Sequence, residues 1–156
     1  LPYTSATQRL DGYKSALQKA GIVFDPRLVR EADFDIQSGY REMKSLLEST
    51  HEFTAVFVAS DNVALGAYSA LNEAGLSIPD DISVVGFDDI PLASYVSPTL
   101  TSVAVPGQEI AVESYKLLTR LMRGELPESR SVTLPTRLIT RQSSREIGRR
   151  AKRGIE

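Results

Sequence analysis

The 156-residue sequence contains no cysteine and a single histidine, His51. Without cysteine the chain has no disulfide, no thiolate nucleophile and no cysteine ligand for a metal. One histidine is too few for a histidine-based zinc site or a Ser-His-Asp triad. The sequence also lacks G-x-S-x-G, P-loop and G-x-G-x-x-G motifs, which mark many hydrolase and nucleotide-binding sites. We therefore expect no catalytic site, no metal site and no cofactor.

Long apolar stretches are absent as well. No run of about 18 apolar residues occurs, so the sequence predicts no membrane span and no membrane partner. Hydrophobic residues make up 42% of the chain and charged residues 24%, values typical of a soluble globular protein with, at this length, one core. The start, "LPYTSATQRL", has neither an initiating Met nor the features of a signal peptide. We therefore expect a fragment of a longer gene product, either clipped or completed by another chain.

Positive charge is concentrated near the C-terminus. Residues 137–156 hold seven basic and two acidic residues, a net charge of +5, so the rest of the chain carries −7 within a total of −2. The acidic body would repel a nucleic acid backbone, and the tail would touch one only weakly and in a salt-dependent way. We interpret residues 148–156 as a disordered, solvated basic tail.

Capping residues and apolar spacing predict alternating helices and strands. Ser5 begins a capping box, Asp35 is a suitable cap for a second helix, and Gly21 is a suitable helix end. The predicted helices begin near residues 5, 35, 61 and 106, and the predicted strands cover residues 28–34, 53–59, 82–87, 101–105 and 131–140. The continuous apolar run at 53–59 predicts a strand covered on both faces, and Pro135 places the last strand at an edge. This order predicts an α/β fold with a parallel sheet sandwiched by helices.

Polar residues follow three of the predicted strands. The pairs at these strand ends are Asp33 with Phe34, Ser60 with Asp61, and Asp88 with Asp89. Ligands bind beyond the carboxyl ends of parallel strands, so we expect these pairs to line one edge of the sheet. Arg9, in the first turns of the first helix, is expected to face the same edge.

The residue types at this edge suit a polyhydroxylated small molecule. The Asp88 carboxylate can accept hydrogen bonds from hydroxyls, and Arg9 supplies matching donors. Phe34 offers an aromatic face to the C–H patch of a sugar ring. Adjacent side chains of an extended chain point to opposite sides, so of Asp88 and Asp89 we expect one to bind the ligand and the other to brace the loop.

Each of these residues also has a structural alternative. Helix capping is the first-ranked role for Asp61, and Ser5 suits capping too. Phe34 equally suits a hydrophobic core, and Arg9 suits a surface ion pair with Asp11 or Asp33. Two carboxylates could also form a glycosidase pair about 5 to 9 Å apart, but single acids at successive strand ends do not favour that arrangement.

The sequence resembles the effector-binding core of the lactose-repressor and galactose-repressor (LacI/GalR) family of bacterial transcription regulators. The resemblance is carried by "FTAVFVASDNVALGAYSALNEAGLSIPDDISVVGFDDIPLASYVSPTLTSVAVP" and extends through "SATQRLDGY", "DFDIQSGY" and "LPTRLITRQSS" to cover Ser5 to Ser144. It implies a receptor of the type I periplasmic-binding-protein kind, of which residues 1–147 form mainly the C-terminal lobe. In the family a helix at 106–124 belongs to the N-terminal lobe. The resemblance also implies that the rest of that lobe, the helix-turn-helix and a strand preceding Leu1 are absent from this chain.

The resemblance assigns roles to individual residues. Arg9, Phe34 and Asp88 match the family's effector-binding arginine, aromatic platform and aspartate, and Ser5 matches a minor hydroxyl contact. Ser60 stands where sugar-binding relatives commonly have Asn, and Val105 where they commonly have Gln, so we expect a ligand less polar on that side or held by waters. Asp61 completes the candidate ligand set. The candidate dimer residues, on surfaces that form the family's dimer interface, are Tyr68, Leu71 and Tyr95.

As a family member, the protein is expected to be a cytoplasmic bacterial regulator. Its implied partners are a small-molecule effector such as a sugar, operator DNA contacted through the absent helix-turn-helix, and a second copy in a homodimer. Effector binding would change the lobe angle and thereby DNA binding, a coupling typically of about 1–3 kcal/mol. A periplasmic sugar-binding protein of a transporter is the alternative, and a carbohydrate-processing enzyme a more distant one.

Overall fold

The computed structural model describes residues 4–49, 53–125 and 131–146. His51 and the predicted basic tail at 148–156 lie outside these residues. The helices are α1 (Thr4–Lys19), α2 (Ile36–Ser49), α3 (Asp61–Glu73) and α4 (Gly107–Met122), with short 3-10 turns at Pro26–Leu28 and Pro91–Ser94. The strands are β1 (Ala55–Phe57), β2 (Ser83–Asp88), β3 (Thr101–Ala104) and β4 (Arg137–Ile139). Over this part of the chain, no helix has the length and apolar character needed to cross a membrane.

The four strands form one mostly parallel sheet in the order β1-β2-β3-β4. β1 pairs with β2, and β2 with β3, in parallel, whereas β4 runs antiparallel to β3. In the register of these pairs Phe57 lies beside Val85, and Asp88 beside Ala104. The first three strands therefore point their carboxyl ends toward the same edge, and the predicted α/β class is confirmed.

Local signals place the helix boundaries close to where the sequence predicts them. The Asp35 carboxylate accepts a hydrogen bond of 2.7 Å from the Ser38 backbone N–H and so caps α2. Gly21 and Gly75 have φ angles of 69° and 71°, a left-handed conformation that glycine adopts without steric cost. The chain reverses there, so α1 ends as predicted and α3 ends by the same left-handed geometry.

Helices lie on both faces of the sheet but cover them unequally. On one face α2 and α3 pack together over β2, and their apolar residues form the core with the strand residue Val84. Side chains alternate along a strand, so Phe87 points to the opposite face, toward α1. None of the described residues of α1 or α4 is fully buried, so the core occupies the α2–α3 face.

Three strand predictions need correction. Residues 28–34 do not form a strand: Leu28 ends a 3-10 turn, and the Arg30 guanidinium donates hydrogen bonds to the carbonyl oxygens of Arg27 and Val29. The predicted strand at 53–59 shortens to β1 and is only partly buried, because among the described residues β1 pairs with β2 alone. The last strand begins only at Arg137, after Pro135, which cannot donate a backbone hydrogen bond.

Candidate functional site

Arg9 is held at the carboxyl end of the sheet by two contacts. Its Nη1 atom donates a hydrogen bond of 2.5 Å to the carbonyl oxygen of Ala59, two residues after the end of β1. Its Cζ atom lies 3.9 Å from the centre of the Phe87 ring, within the range of a cation–π contact. A guanidinium from α1 is thus fixed over the last residues of β1 and β2, as the sequence predicts.

Asp88 ends β2 beside this guanidinium. Burial raises the pKa of the Asp88 carboxyl above its ordinary value, while the charge of Arg9 and a hydrogen bond from the Ser60 side chain lower it in part. Ser60 belongs to the residue pair that follows β1 and is itself buried. The structure therefore brings Arg9, Ser60 and Asp88 together at one point of the edge, each from a different element.

The backbone at Asp88 and Asp89 adopts an unusual conformation. Their φ angles are 113° and 56°, which a residue other than glycine adopts only at a steric cost of about 1–3 kcal/mol. The turn separates the two carboxylates. Asp89 Oδ1 lies 2.7 Å from Nη2 of Arg141, in a largely buried ion pair. The structure thus gives the bracing role to Asp89, and Asp88 is the aspartate beside Arg9.

Asp61 lies behind the edge rather than on its surface. Its side chain is 0% exposed. Its Oδ1 atom accepts a hydrogen bond of 2.7 Å from Ser102 Oγ, and its Oδ2 atom accepts one of 2.9 Å from the Ile90 backbone N–H. Burial raises the pKa of this carboxyl despite both bonds. Because Asp61 is fully buried, an effector could not reach it without displacing the residues that cover it, so bracing describes its geometry better than ligand binding.

Phe34 and Ser5 are less closely tied to this point. Phe34, 42% exposed, lies just before Asp35, the residue that caps α2. Gly66 lies in the N-terminal half of α3, and a Cβ added there would lie only 2.0 Å from the carbonyl oxygen of Ile36. The start of α2 is therefore in close contact with the half of α3 that is nearer the edge. Ser5 is exposed on α1 and lines an open depression of about 580 Å³ together with Arg9, Gln8, Tyr13, Phe57 and Phe87. Both residues stay predictions as ligand contacts.

The three candidate dimer residues occupy different environments. Tyr95 is 82% exposed on the loop after Pro91–Ser94. Tyr68 is partly buried, and its hydroxyl donates a hydrogen bond of 3.2 Å to the Pro98 carbonyl oxygen. Leu71 is 0% exposed and belongs to the core. The expectation that Leu71 contacts a second chain is therefore wrong, because the inner side of α3 packs within this chain.

Sequence reasoning missed three residues that shape the site. In the sequence Phe87 has only the character of a buried strand residue, whereas in the structure its ring supports Arg9. Ser102 is fully buried and bonds to both Asp61 and Asp89. In the sequence Arg141 is one of seven basic residues near the C-terminus, whereas in the structure it pairs with Asp89. One feature of the sequence does point to such a cation. Asp88 and Asp89 have no basic residue close to them along the chain, so a basic side chain from another part of the fold is needed to balance their charge.

Comparisons with known proteins match this architecture over almost all of the chain. Residues 2–144 match the family described as periplasmic binding protein-like domain. The chain belongs to this family. It is 40% identical over 139 residues to the HTH-type transcriptional repressor CytR of Escherichia coli K12, covering 89% of this chain and 41% of CytR. The chain thus spans less than half the length of this relative.

Solved structures of LacI-family regulators share the fold. A complex of the transcriptional regulator CelR with cellobiose has a TM-score of 0.85 and 38% identity, covering 88% of this chain and 42% of that one. A LacI-family regulator from Enterococcus faecium with bound ribose has a TM-score of 0.77 and 38% identity, covering 87% and 50%. These relatives are transcriptional regulators rather than enzymes, and the chain is a periplasmic-binding-protein-like domain of the LacI type.

Proposed function

We propose that the chain is the effector-binding and dimerisation part of a LacI-type transcriptional regulator. Its ligand is a small polyhydroxylated molecule, a sugar or a related compound, bound at the edge where Arg9 and Asp88 meet. Binding of this effector controls operator binding by a helix-turn-helix outside the chain. Cellobiose and ribose in the solved relatives support the ligand class.

The observation that carries this proposal is the placement of Asp88. Its carboxylate stands beside a fixed guanidinium at the ends of parallel strands, where ligands of α/β sheets bind. An ionised carboxylate accepts hydrogen bonds from two neighbouring hydroxyls, and Arg9 donates to a ring or hydroxyl oxygen. Phe34, at the same edge, would cover an apolar face of the ligand.

The residues around this pair influence which ligand fits. The Ser60 hydroxyl bonds to Asp88, so it orients the carboxylate rather than reaching far toward a ligand. Val105 follows β3 at the same edge and offers no hydrogen-bonding side chain. We infer a ligand with its hydroxyls gathered on the Arg9–Asp88 side and a less polar or water-bridged opposite side.

The same domain is proposed to form a homodimer. Tyr95 projects a nearly fully exposed aromatic ring from its loop, and aromatic residues are enriched at subunit interfaces. Regulation then follows from coupling: an effector in the cleft changes the relative position of the two DNA-reading domains in the dimer, with a coupling energy of about 1–3 kcal/mol.

Calorimetric titration of the full-length protein tests the ligand site. Ribose and cellobiose are the first probes, followed by other sugars, sugar phosphates and purines. Arg9→Ala and Asp88→Asn should each weaken binding by about 1–3 kcal/mol, because each removes a charge-assisted hydrogen bond. The matched controls Arg41→Ala and Asp80→Asn change exposed, ion-paired residues away from the edge and should leave affinity unchanged.

Operator binding tests the regulatory part separately. The full-length protein should bind DNA from its own promoter region, and the bound sugar should change that affinity about 5-fold to 150-fold. Unchanged sugar affinity in both Arg9→Ala and Asp88→Asn would reject the site. Sugar binding without any DNA binding would instead favour the alternative function, a periplasmic sugar-binding protein of a transporter.

A further inference from the structure

A hydrogen-bonded brace holds the turn that follows β2. We infer that Asp61, Ser102 and Arg141 are positioning residues that fix the direction of the Asp88 carboxylate by holding the next two residues of the turn. This inference rests on the proposed function in one respect: Asp88 is taken as the effector contact. The three residues come from α3, β3 and the segment after β4, so the brace joins three parts of the fold.

Both backbone N–H groups of the two residues after Asp88 have a partner in the brace. The Asp89 backbone N–H donates to Ser102 Oγ over 3.1 Å, and the Ile90 backbone N–H donates to Asp61 Oδ2 over 2.9 Å. Ser102 Oγ in turn donates to Asp61 Oδ1 over 2.7 Å. The Ser102 hydroxyl thus uses its one proton toward Asp61 and a lone pair toward Asp89, which leaves a single consistent arrangement of donors and acceptors.

Arg141 closes the brace from the other side. Its Nη2 atom pairs with Asp89 Oδ1, while its Nη1 atom donates 2.8 Å to the carbonyl oxygen of Leu100. Its backbone N–H donates 2.9 Å to Thr101 Oγ1. A guanidinium with two groups engaged in a fixed fork loses little freedom for each bond, so Arg141 anchors Asp89 to the start of β3.

The brace acts on a backbone that would otherwise relax. Positive φ angles at Asp88 and Asp89 persist only where surrounding contacts hold them. Without the brace the turn would adopt ordinary angles, which would rotate the Asp88 carboxylate away from its position beside Arg9 and Ser60. Neither Ser102 nor Arg141 forms a hydrogen bond or an ion pair with the Asp88 carboxylate itself, so their effect must pass through the turn.

The titration of Asp88 reports its position without the need for a ligand. Arg9 and Asp61 interact electrostatically with Asp88, and the Asp89–Arg141 ion pair lies at the adjacent residue, so the test variants must keep all four charges. Ser102→Ala removes a neutral hydroxyl. Arg141→Lys keeps the positive charge but loses the guanidinium that contacts Asp89 and the Leu100 carbonyl oxygen together. Selective ¹³C labelling of Asp carboxyls in the full-length protein, with assignment by Asp88→Asn, gives the Asp88 titration midpoint by NMR.

In Ser102→Ala and Arg141→Lys we expect the Asp88 midpoint to move down toward the ordinary aspartate range, because the released carboxyl gains water. The matched controls are Ser69→Ala, which removes a within-helix serine bond, and Arg145→Lys, which changes an arginine bound to the Pro79 and Asp80 carbonyl oxygens. Both should leave the midpoint unchanged. For a sugar probe that binds, Ser102→Ala should weaken affinity roughly tenfold.

An Asp88 midpoint unchanged in both test variants, even with a lowered Tm, would overturn the inference and leave these residues a purely structural role. If buried Ser102→Ala fails to fold, Arg141→Lys, at a less buried position, decides the question alone. Failure of the proposed function gives a different result: Asp88→Asn would leave sugar binding intact while the brace variants still shift the Asp88 midpoint.

Discussion

Replacing Gly86 with alanine would test the packing beneath the turn. An ideal Cβ at Gly86 would lie 2.1 Å from Asp61 Oδ1 and 3.0 Å from Leu100 Cδ2. Both neighbours are fully buried, so neither has free space to move into. Overpacking a core by a methyl group costs about 1–3 kcal/mol, and displacing Asp61 from Ser102 removes a charge-assisted bond of about 1.5–3 kcal/mol. We expect Gly86→Ala to lower the free energy of unfolding by about 3–5 kcal/mol.

Urea unfolding of the full-length protein measures this loss. Gly12→Ala is the matched control, because a Cβ at Gly12 meets no atom within 4 Å and alanine favours the helix by up to about 1 kcal/mol. A double-mutant cycle identifies the group in conflict. Asp61→Ala vacates the space that the new methyl needs, so the double variant should be less destabilised than the sum of the single variants by about 1 kcal/mol or more.

Two outcomes would refute this reasoning. A loss below about 0.5 kcal/mol in Gly86→Ala, the range of an ordinary surface substitution, would mean that the Asp61 carboxylate does not occupy the space above Gly86. Additive costs in the double variant would mean that the methyl group conflicts with another neighbour, such as Leu100. Either result would also weaken the placement of Asp61 in the brace.

Two further predictions concern the turn and the dimer. Burial raises the pKa of Asp88 in the folded protein. Its contribution to stability is therefore present below the unfolded pKa of about 3.9 and is lost as the pH rises through the folded pKa. Asp88→Asn should raise Tm at about pH 7 but not near pH 3, and a parallel pH dependence of the two proteins would contradict this. Tyr95→Ser should weaken the dimer about tenfold in analytical ultracentrifugation with little change in Tm. Leu71→Ala should instead lower the free energy of unfolding by about 2–5 kcal/mol and leave the dimer dissociation constant unchanged. A weaker dimer with unchanged stability in Leu71→Ala would place Leu71 at the interface after all.

The sequence predicts most of the fold because its local signals agree with one another. Asp35, Gly21 and Gly75 mark helix boundaries by their own capping chemistry and left-handed geometry, which do not depend on distant residues. Strands depend on partners elsewhere in the chain. The segment at 28–34 has the composition of a strand, but it has no strand neighbour among the described residues, and the carbonyl oxygen of Val29 accepts a hydrogen bond from the Arg30 side chain instead.

The candidate site divides in the same way. Arg9 and Asp88 follow from strand ends and helix starts, which topology alone brings to one edge. The brace could not be predicted, because Ser102 and Arg141 lie 14 and 53 positions beyond Asp88 along the chain and only the folded sheet brings them together. Nor does the pattern of α3 distinguish core from interface: Leu71 and Tyr68 share its apolar stripe, and only packing against α2 and β2 assigns Leu71 to the core.

The adjacent aspartates explain why the turn after β2 is strained instead of glycine-rich. Glycine would adopt the φ angles of Asp88 and Asp89 without the cost of about 1–3 kcal/mol at each position, but it would supply no carboxylate. One carboxylate stands beside Arg9 and the other opposite Arg141, and the positive φ angles at both residues belong to the backbone conformation that places them there. The bonds of the brace, at about 0.5–1.5 kcal/mol each and more for charged partners, are of the right size to offset that strain. A ligand-binding carboxylate that is rigid before binding loses little entropy on binding, so the strain is consistent with a site whose function depends on the direction of one side chain.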